Sequence, residues 1–139
     1  MMDRADFFAA KLAYETDASD VYAALRAGES PVVIDVRSDE AWAQGRVSGA
    51  IHMHYSQIAE RAPKEIPADA SVVVYCWSPG CNAGAKGALE FAKLGYDVRE
   101  MIGGFEYWAR EGYPVEDADG THRRPIDPLT GIPRVRTRT

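Results

Sequence analysis

One stretch of the chain, residues 71–95, constrains the fold more than any other. It opens with three valines and a tyrosine at 72–75, a continuous run that is typical of a strand buried on both faces of a parallel sheet. The Trp-Ser-Pro-Gly at 77–80 predicts a tight loop, because proline lacks an amide donor and glycine tolerates positive φ. Apolar residues then recur at helical spacing until Gly95, which suits a left-handed helix cap. A strand, a loop and a helix therefore enclose Cys76.

The position of Cys76, between the strand and the helix, favours a reactive thiol. Backbone N–H groups at the start of a helix lack intrahelical partners and carry partial positive charge, so anions are stabilised there. We therefore expect the pKa of Cys76 to lie below the value of about 8.5 that is ordinary for a thiol. The alternative is an inert core cysteine, because free cysteine is among the most buried residue types.

A second strand is predicted at residues 32–36, and two charged residues bracket its end. Asp35 and Arg37 can line a site there, since ligands bind at the carboxyl ends of parallel strands. A supporting role is favoured, because half-buried charges at strand ends need partners. In that role Asp35 accepts backbone N–H bonds and Arg37 pairs with a carboxylate such as Glu40.

The rest of the chain alternates between predicted helices and strands. We expect helices at 3–14, 55–61 and 105–110, and two more that begin after the caps Asp17 and Ser38. Strands are expected at 51–54 and 98–102, and a loop at Pro63 and Pro67. This alternation predicts a parallel, three-layer α/β domain.

Four motifs follow one another along the chain: Asp-Val-Arg at 35–37, Glu-x4-Gly-Arg-Val-Ser-Gly-Ala-Ile at 40–51, the cysteine loop at 75–82 and Gly-Gly-x-x-x-Trp at 103–108. Together they resemble the rhodanese-like sulfurtransferase family over residues 17–116, and four motifs in order are far more specific than one. The resemblance implies a small central, mainly parallel sheet with helices on both faces. The chain departs from the family pattern at Arg46, Ser48 and Cys81, and Cys81 gives the loop a second thiol.

The resemblance also implies a reaction. The Cys76 thiolate takes a sulfane sulfur from a donor such as thiosulfate or a persulfide, becomes a persulfide, and passes the sulfur to a thiophilic acceptor. Loop N–H groups would stabilise these anions, and no cofactor is called for. The expected partners are a small sulfur donor and acceptor, or a protein persulfide.

The loop residues after Cys76 receive individual roles in this interpretation. We expect Trp77 to form the rim of the pocket, although packing against the neighbouring helix is the competing role. Ser78 and Asn82 are candidates for hydrogen bonds to the anion, and Asn82 also for the helix cap. Pro79 and Gly80 are expected to shape the loop.

Cys81 has three interpretations. It can resolve an oxidised Cys76 as a disulfide, relay sulfur to a partner, or be a small buried residue without chemistry. Two thiols on one loop can bond only if their β-carbons approach within about 4.5 Å and point together.

Other functional classes use the same elements. A thiol-disulfide redox switch would use Cys76 and Cys81, and a non-catalytic binding module would keep the fold alone. A cysteine phosphatase or arsenate reductase is disfavoured, because Asn82 stands where a phosphate-binding arginine is needed. A zinc site that adds His52 and His54 to the two cysteines is also disfavoured, since the loop already explains the cysteine spacing.

We divide the chain into a domain at 1–116, whose residues 1–16 form a helical extension, and a tail at 117–139. The tail is expected to be irregular and basic, with arginines at 123, 124, 134, 136 and 138 against three aspartates. It is either solvated or docked on an acidic face, which can belong to this domain, to a second copy in a homodimer, or to another protein.

Charge and hydropathy exclude several partners and compartments. The net charge of −5 argues against nucleic-acid binding. No apolar run has the length that a membrane span needs, and the first residues lack the layout of a signal peptide. From these two observations we expect a cytoplasmic protein. Two cysteines on one loop do not form the dispersed framework of a disulfide-stabilised secreted domain, and in a reducing compartment such a pair favours catalysis or metal binding.

Overall fold

A parallel five-stranded sheet forms the centre of the molecule in the computed structural model, which describes residues 1–131. The strands along the chain are β1 (Glu15–Asp17), β2 (Val32–Asp35), β3 (Arg46–Val47), β4 (Ile51–His52), β5 (Ser71–Tyr75), β6 (Asp97–Ile102), β7 (Val115–Asp117) and β8 (Gly120–His122). The central sheet has the order β1-β6-β5-β2-β4, and all four neighbouring pairs are parallel. Strands β3, β7 and β8 form a second, antiparallel sheet.

Helices cover both faces of the central sheet, as the sequence predicts. They are α1 (Arg4–Tyr14), α2 (Ala18–Arg26), α3 (Asp39–Gln44), α4 (Ile58–Glu65), α5 (Ala83–Lys93) and α6 (Gly104–Arg110), and a 3-10 turn (Tyr55–Gln57) precedes α4. One hydrophobic cluster packs α2 and α6 on one face, and a second packs α4 and α5 on the other. Within residues 1–131 no helix has both the length and the apolar character to span a bilayer. The three-layer α/β architecture is confirmed.

Strand β5 illustrates why this sequence forms a central strand. Val73 and Tyr75 belong to the cluster beneath α2 and α6, whereas Val72 and Val74 belong to the cluster beneath α4 and α5. Successive side chains of a strand point to opposite faces, so a strand with two covered faces needs an unbroken apolar run. Cys76 follows β5 directly and extends the second cluster.

The helix caps follow the predicted pattern. The side chains of Asp17 and Ser38 accept hydrogen bonds from the third residue of their helices at 2.8 and 3.3 Å. Gly95 has φ +89° just beyond α5, a conformation that only glycine adopts readily.

Three local predictions were wrong. Pro63 lies inside α4 and not in a loop. Proline cannot donate a helical hydrogen bond, and burial of Ile58 and Ala62 on the same helix offsets the free energy that this costs. The strand that contains His52 ends there and does not reach His54. Residues 120–122 form β8 instead of irregular chain, because they pair with β7.

Further elements had no counterpart in the sequence analysis. Strand β1 and the antiparallel sheet were not predicted. The domain boundary at residue 116 stays a prediction, and Arg134, Arg136 and Arg138 of the tail lie outside the described residues.

Arg46 and Ser48, two of the residues that depart from the family pattern, make contacts at the antiparallel sheet. The Ser48 hydroxyl and the Gly49 N–H donate to Oε1 of Glu116 on β7 at 2.9 and 3.0 Å. Arg46 Nε lies 3.8 Å from the other oxygen of Glu116. Arg46 and Ser48 therefore hold β3 and its following turn against β7.

Candidate active site

Cys76 is joined to Cys81 by a disulfide bond at the carboxyl end of β5. The two Cα atoms are 6.4 Å apart. The chain turns between Ser78 and Cys81, where the Cys81 N–H donates to the Ser78 carbonyl at 3.1 Å, and this turn brings Cys81 to Cys76. Cys76 is 4% exposed, whereas Cys81 is only partly buried. The structure thus presents the oxidised loop, and the expected low pKa of Cys76 is a prediction for the reduced protein.

The start of α6 holds the loop by its backbone. The N–H groups of Phe105 and Glu106 donate to the carbonyls of Cys76 and Trp77 at 2.9 and 2.8 Å. Gly104 makes this approach possible, since its φ is +62° and a Cβ at this position would lie 2.6 Å from the Cys76 carbonyl oxygen. Gly104, the second glycine of the Gly-Gly motif, is therefore a packing requirement of the cysteine loop.

Several backbone amides of the loop are available to an anion. Within residues 1–131, the N–H groups of Trp77, Ser78, Gly80 and Asn82 donate to no protein acceptor. Asn82 stands at the N-cap of α5 as predicted, but its side chain makes no capping hydrogen bond, so that part of the prediction was wrong. Unpaired N–H groups beside a helix start can stabilise a nearby anion.

A buried network at the ends of β2 and β5 supports the loop from below. Arg37 Nη2 lies 2.7 Å from Asp35 Oδ2 and also donates to the Gly45 carbonyl. The Tyr75 hydroxyl donates to Asp35 Oδ2 at 2.7 Å and accepts the Val47 N–H at 3.0 Å. Burial, and then the charge of Asp35, raise the pKa of Tyr75 well above its ordinary value, so its hydroxyl stays protonated.

Arg37 connects this network to the cysteine loop. Its guanidinium carbon lies 4.5 Å from the ring centre of Trp77 and 4.7 Å from that of Phe105. The sequence-based expectation of a partner such as Glu40 was wrong, since Arg37 pairs with Asp35. Asp35 and Arg37 thus lie beneath the loop, and Arg37 contacts it through Trp77.

A cavity of about 510 Å³ opens beside the disulfide. The loop contributes Cys76, Ser78, Pro79 and Cys81 to its lining, and β1, α2, β6 and α6 contribute most of the rest. The other three loop residues, Trp77, Gly80 and Asn82, are not among the lining residues. Trp77 packs against Arg37 and Phe105 instead of forming the rim of this cavity.

The cavity wall is acidic. Among residues 1–131, it contains the carboxylates of Glu15, Asp17, Glu100 and Glu111 and one cation, Lys11, which pairs with Glu15 at 2.6 Å. Burial, followed by the charge of Glu15, raises the pKa of Glu100. Burial and then the charge of Asp17 raise the pKa of Glu111. Repulsion between close carboxylates and their partial desolvation are the causes.

The sequence analysis missed these acidic residues. One signal was present, because Glu100 lies near the end of the predicted strand 98–102 and parallel strands end at one edge of a sheet. The place of Glu15 in the site could not be predicted, because it depends on the pairing of β1 with β6, which sets Glu15 opposite Glu100.

The histidines and cysteines considered for zinc do not converge. His52 Nε2 lies 2.8 Å from the Arg37 carbonyl and its ring stacks on Trp42, and His54 hydrogen-bonds Ser56. Within residues 1–131 no group of three His, Cys, Asp or Glu side chains is arranged to hold a metal ion.

The fold and the loop define a class: a parallel α/β domain that presents a cysteine loop at the carboxyl edge of its sheet. A family model described as Rhodanese-like domain matches residues 17–111. The chain belongs to the rhodanese-like domain family.

Named relatives agree with that membership. The chain is 35% identical over 97 residues to "Thiosulfate sulfurtransferase GlpE" of Pseudomonas putida, a match that covers 69% of this chain and 84% of that protein. The protein of the same name in Actinobacillus succinogenes is 37% identical over 99 residues, which cover 70% and 85% of the two chains. The crystal structure of the BH2092 protein from Bacillus halodurans superposes with a TM-score of 0.76 at 38% identity, over 82% of this chain and 84% of that one.

Proposed function

We propose that this protein is a rhodanese-type sulfurtransferase that carries a sulfane sulfur on Cys76. In the reduced protein the Cys76 thiolate attacks the outer sulfur of thiosulfate, a sulfur–sulfur bond forms to Cys76, and sulfite leaves with the electron pair of the broken bond. A thiophilic acceptor then takes the outer sulfur and returns the thiolate. The names of the relatives support this chemistry.

The observation that carries the proposal is the setting of Cys76. It follows β5 at the carboxyl edge of the sheet, lines the cavity, and is enclosed by a loop with four amide donors that bond to no protein acceptor in the described part of the chain. Of these four residues Ser78 also lines the cavity, and a loop amide directed at the sulfur would stabilise its anionic form before and after transfer. Arg37 and Gly104 hold the loop in this shape.

The acidic wall bears on the choice of substrate. Four carboxylates against one lysine oppose the entry of a dianion such as thiosulfate, which favours neutral or cationic sulfur compounds and the exposed persulfide of a partner protein. Thiosulfate is then a usable but weakly bound donor. Binding to a partner through the arginine-rich tail, in a homodimer or otherwise, and a cytoplasmic location belong to the same proposal.

A second candidate function is a thiol-disulfide switch, which the disulfide between Cys76 and Cys81 favours. In that function the loop exchanges electrons with other thiols and transfers no sulfur. The two functions differ in whether a sulfur atom is ever held by the protein.

Turnover of thiosulfate and cyanide to sulfite and thiocyanate tests the proposal. The protein is first reduced with a dithiol and then freed of it. We expect Cys81→Ser to sustain thiocyanate formation and Cys76→Ser to have none. Turnover that survives in Cys76→Ser, or is absent from Cys81→Ser, would overturn the assignment of Cys76 as the sulfur carrier.

A further inference from the structure

The geometry points to a further activity, the release of sulfide by Cys81. The Cys81 thiolate attacks Sγ of the Cys76 persulfide in its protonated form, the disulfide between Cys76 and Cys81 forms, and the outer sulfur leaves as hydrosulfide with the proton that it carries. The inference rests on the proposed persulfide at Cys76. It makes the protein a sulfide-releasing enzyme in which the sulfane sulfur ends as sulfide and need not pass to an acceptor.

The bond that this step forms is present in the structure. Sγ of Cys81 is bonded to Sγ of Cys76, the atom that carries the outer sulfur in a persulfide. The two Cα atoms are 6.4 Å apart, within the range that a disulfide spans. The turn from Ser78 to Cys81 therefore allows the second thiol to reach the first with the loop still anchored on α6.

The burial of the two cysteines suits their roles. Cys76 is almost fully buried and borders the cavity, so the cavity provides space for the outer sulfur of its persulfide. Cys81 is partly exposed and lines the same cavity, which leaves it accessible to a reductant. The carboxylates of the wall repel a departing hydrosulfide anion and do not retain it.

The step balances without an external oxidant. The Cys81 sulfur forms one bond to Cys76 Sγ, and the bond between Cys76 Sγ and the outer sulfur breaks, with its electron pair leaving on the hydrosulfide. The two cysteine sulfurs together lose two electrons, and the outer sulfur gains them. A dithiol reductant then returns the loop to two thiols by thiol-disulfide exchange and is itself oxidised to a disulfide.

This chemistry determines which classes of reaction must precede and follow the step. A reaction upstream must supply a sulfane sulfur, and a dithiol downstream must reduce the loop in every cycle. A domain with Cys76 alone would instead hold the persulfide until an acceptor arrived.

A single-turnover experiment separates this inference from the proposed function. Wild type, Cys81→Ser, Cys81→Ala and Cys76→Ser are reduced, freed of reductant and mixed with thiosulfate in the absence of any other thiol. Released sulfide and intact mass are then measured. We expect wild type to release sulfide in stoichiometric amount and to lose two hydrogens, and both Cys81 variants to retain one added sulfur and to release no sulfide above background.

The contrary outcomes differ from one another. If wild type keeps the added sulfur and releases no sulfide, the role of Cys81 is refuted while the persulfide at Cys76 stands. If the two Cys81 variants gain no sulfur, the proposed function fails and the inference fails with it. Sulfide release from Cys81→Ala at the wild-type yield would also refute the role of Cys81. The Cys76→Ser variant is the control for sulfur bound elsewhere.

Discussion

Replacement of Arg37 by methionine should destabilise the protein more than the loss of an ordinary ion pair. Asp35 is 0% exposed, and in Arg37→Met the donors left to its carboxylate within residues 1–131 are the Tyr75 hydroxyl and a backbone N–H. Removal of one partner from a buried pair typically costs about 3–5 kcal/mol, because the remaining charge is uncompensated. The contacts of the guanidinium with Trp77 and Phe105 are also lost. Domains of this size have a total stability of roughly 5–15 kcal/mol, so the variant is expected to be only marginally folded.

Urea denaturation of reduced protein measures this effect. We expect a large fall in the midpoint of Arg37→Met, and partial recovery in the double variant Asp35→Asn/Arg37→Met, which removes the buried charge as well. Arg61→Met is a matched control, since Arg61 pairs with Glu65 at 2.7 Å on the exposed face of α4 and its loss should shift the midpoint little. A loss below about 1 kcal/mol in Arg37→Met would refute the view that this network anchors the loop.

Two further substitutions test the cavity and the packing of the loop. Glu100→Gln should lower KM for thiosulfate by roughly two- to fivefold at low salt and less at high salt, with Glu60→Gln on the exposed side of α4 as a charge-matched control. The pKa of Glu100 is raised on folding, so ionisation of Glu100 destabilises the folded protein as pH rises through that pKa. Glu100→Gln should therefore raise Tm at neutral pH and leave Tm unchanged below the ordinary glutamate pKa. Gly104→Ala should cost at least about 1–2 kcal/mol in urea denaturation and reduce turnover, because its φ is +62° and the new Cβ meets the Cys76 carbonyl. Gly80→Ala, in the same loop with open space around it, should be tolerated. An unchanged KM in Glu100→Gln, or equal stability of the two alanine variants, would contradict these arguments.

The sequence predicted those parts of the fold that local patterns determine. The apolar run before Cys76, the caps at Asp17 and Ser38 and the glycine after α5 each have a local physical cause, and each is confirmed. Pro63 shows the limit of local rules, because burial of one helix face outweighed the preference of proline for a loop.

The parts of the site that sequence could not supply depend on tertiary contacts. Arg37 pairs with Asp35, two residues away, and not with Glu40 of the following helix. Both side chains of the pair are buried beneath Tyr75 and Trp77. Glu15 and Glu100 of the acidic wall are brought together by the pairing of β1 with β6, which no motif indicated. The bond between Cys76 and Cys81 depends on how the loop turns at Ser78, and the sequence left its chemistry with three alternatives.

The location of the transferred sulfur tests the central claim most directly. Reduced Cys81→Ser is incubated with a sulfane sulfur donor, its persulfides are trapped by alkylation, and the digested protein is sequenced by mass spectrometry. We predict that the additional sulfur lies on the peptide that contains Cys76 and is removed by cyanide. A peptide that carries Cys76 as an ordinary alkylated thiol after every donor would contradict the account.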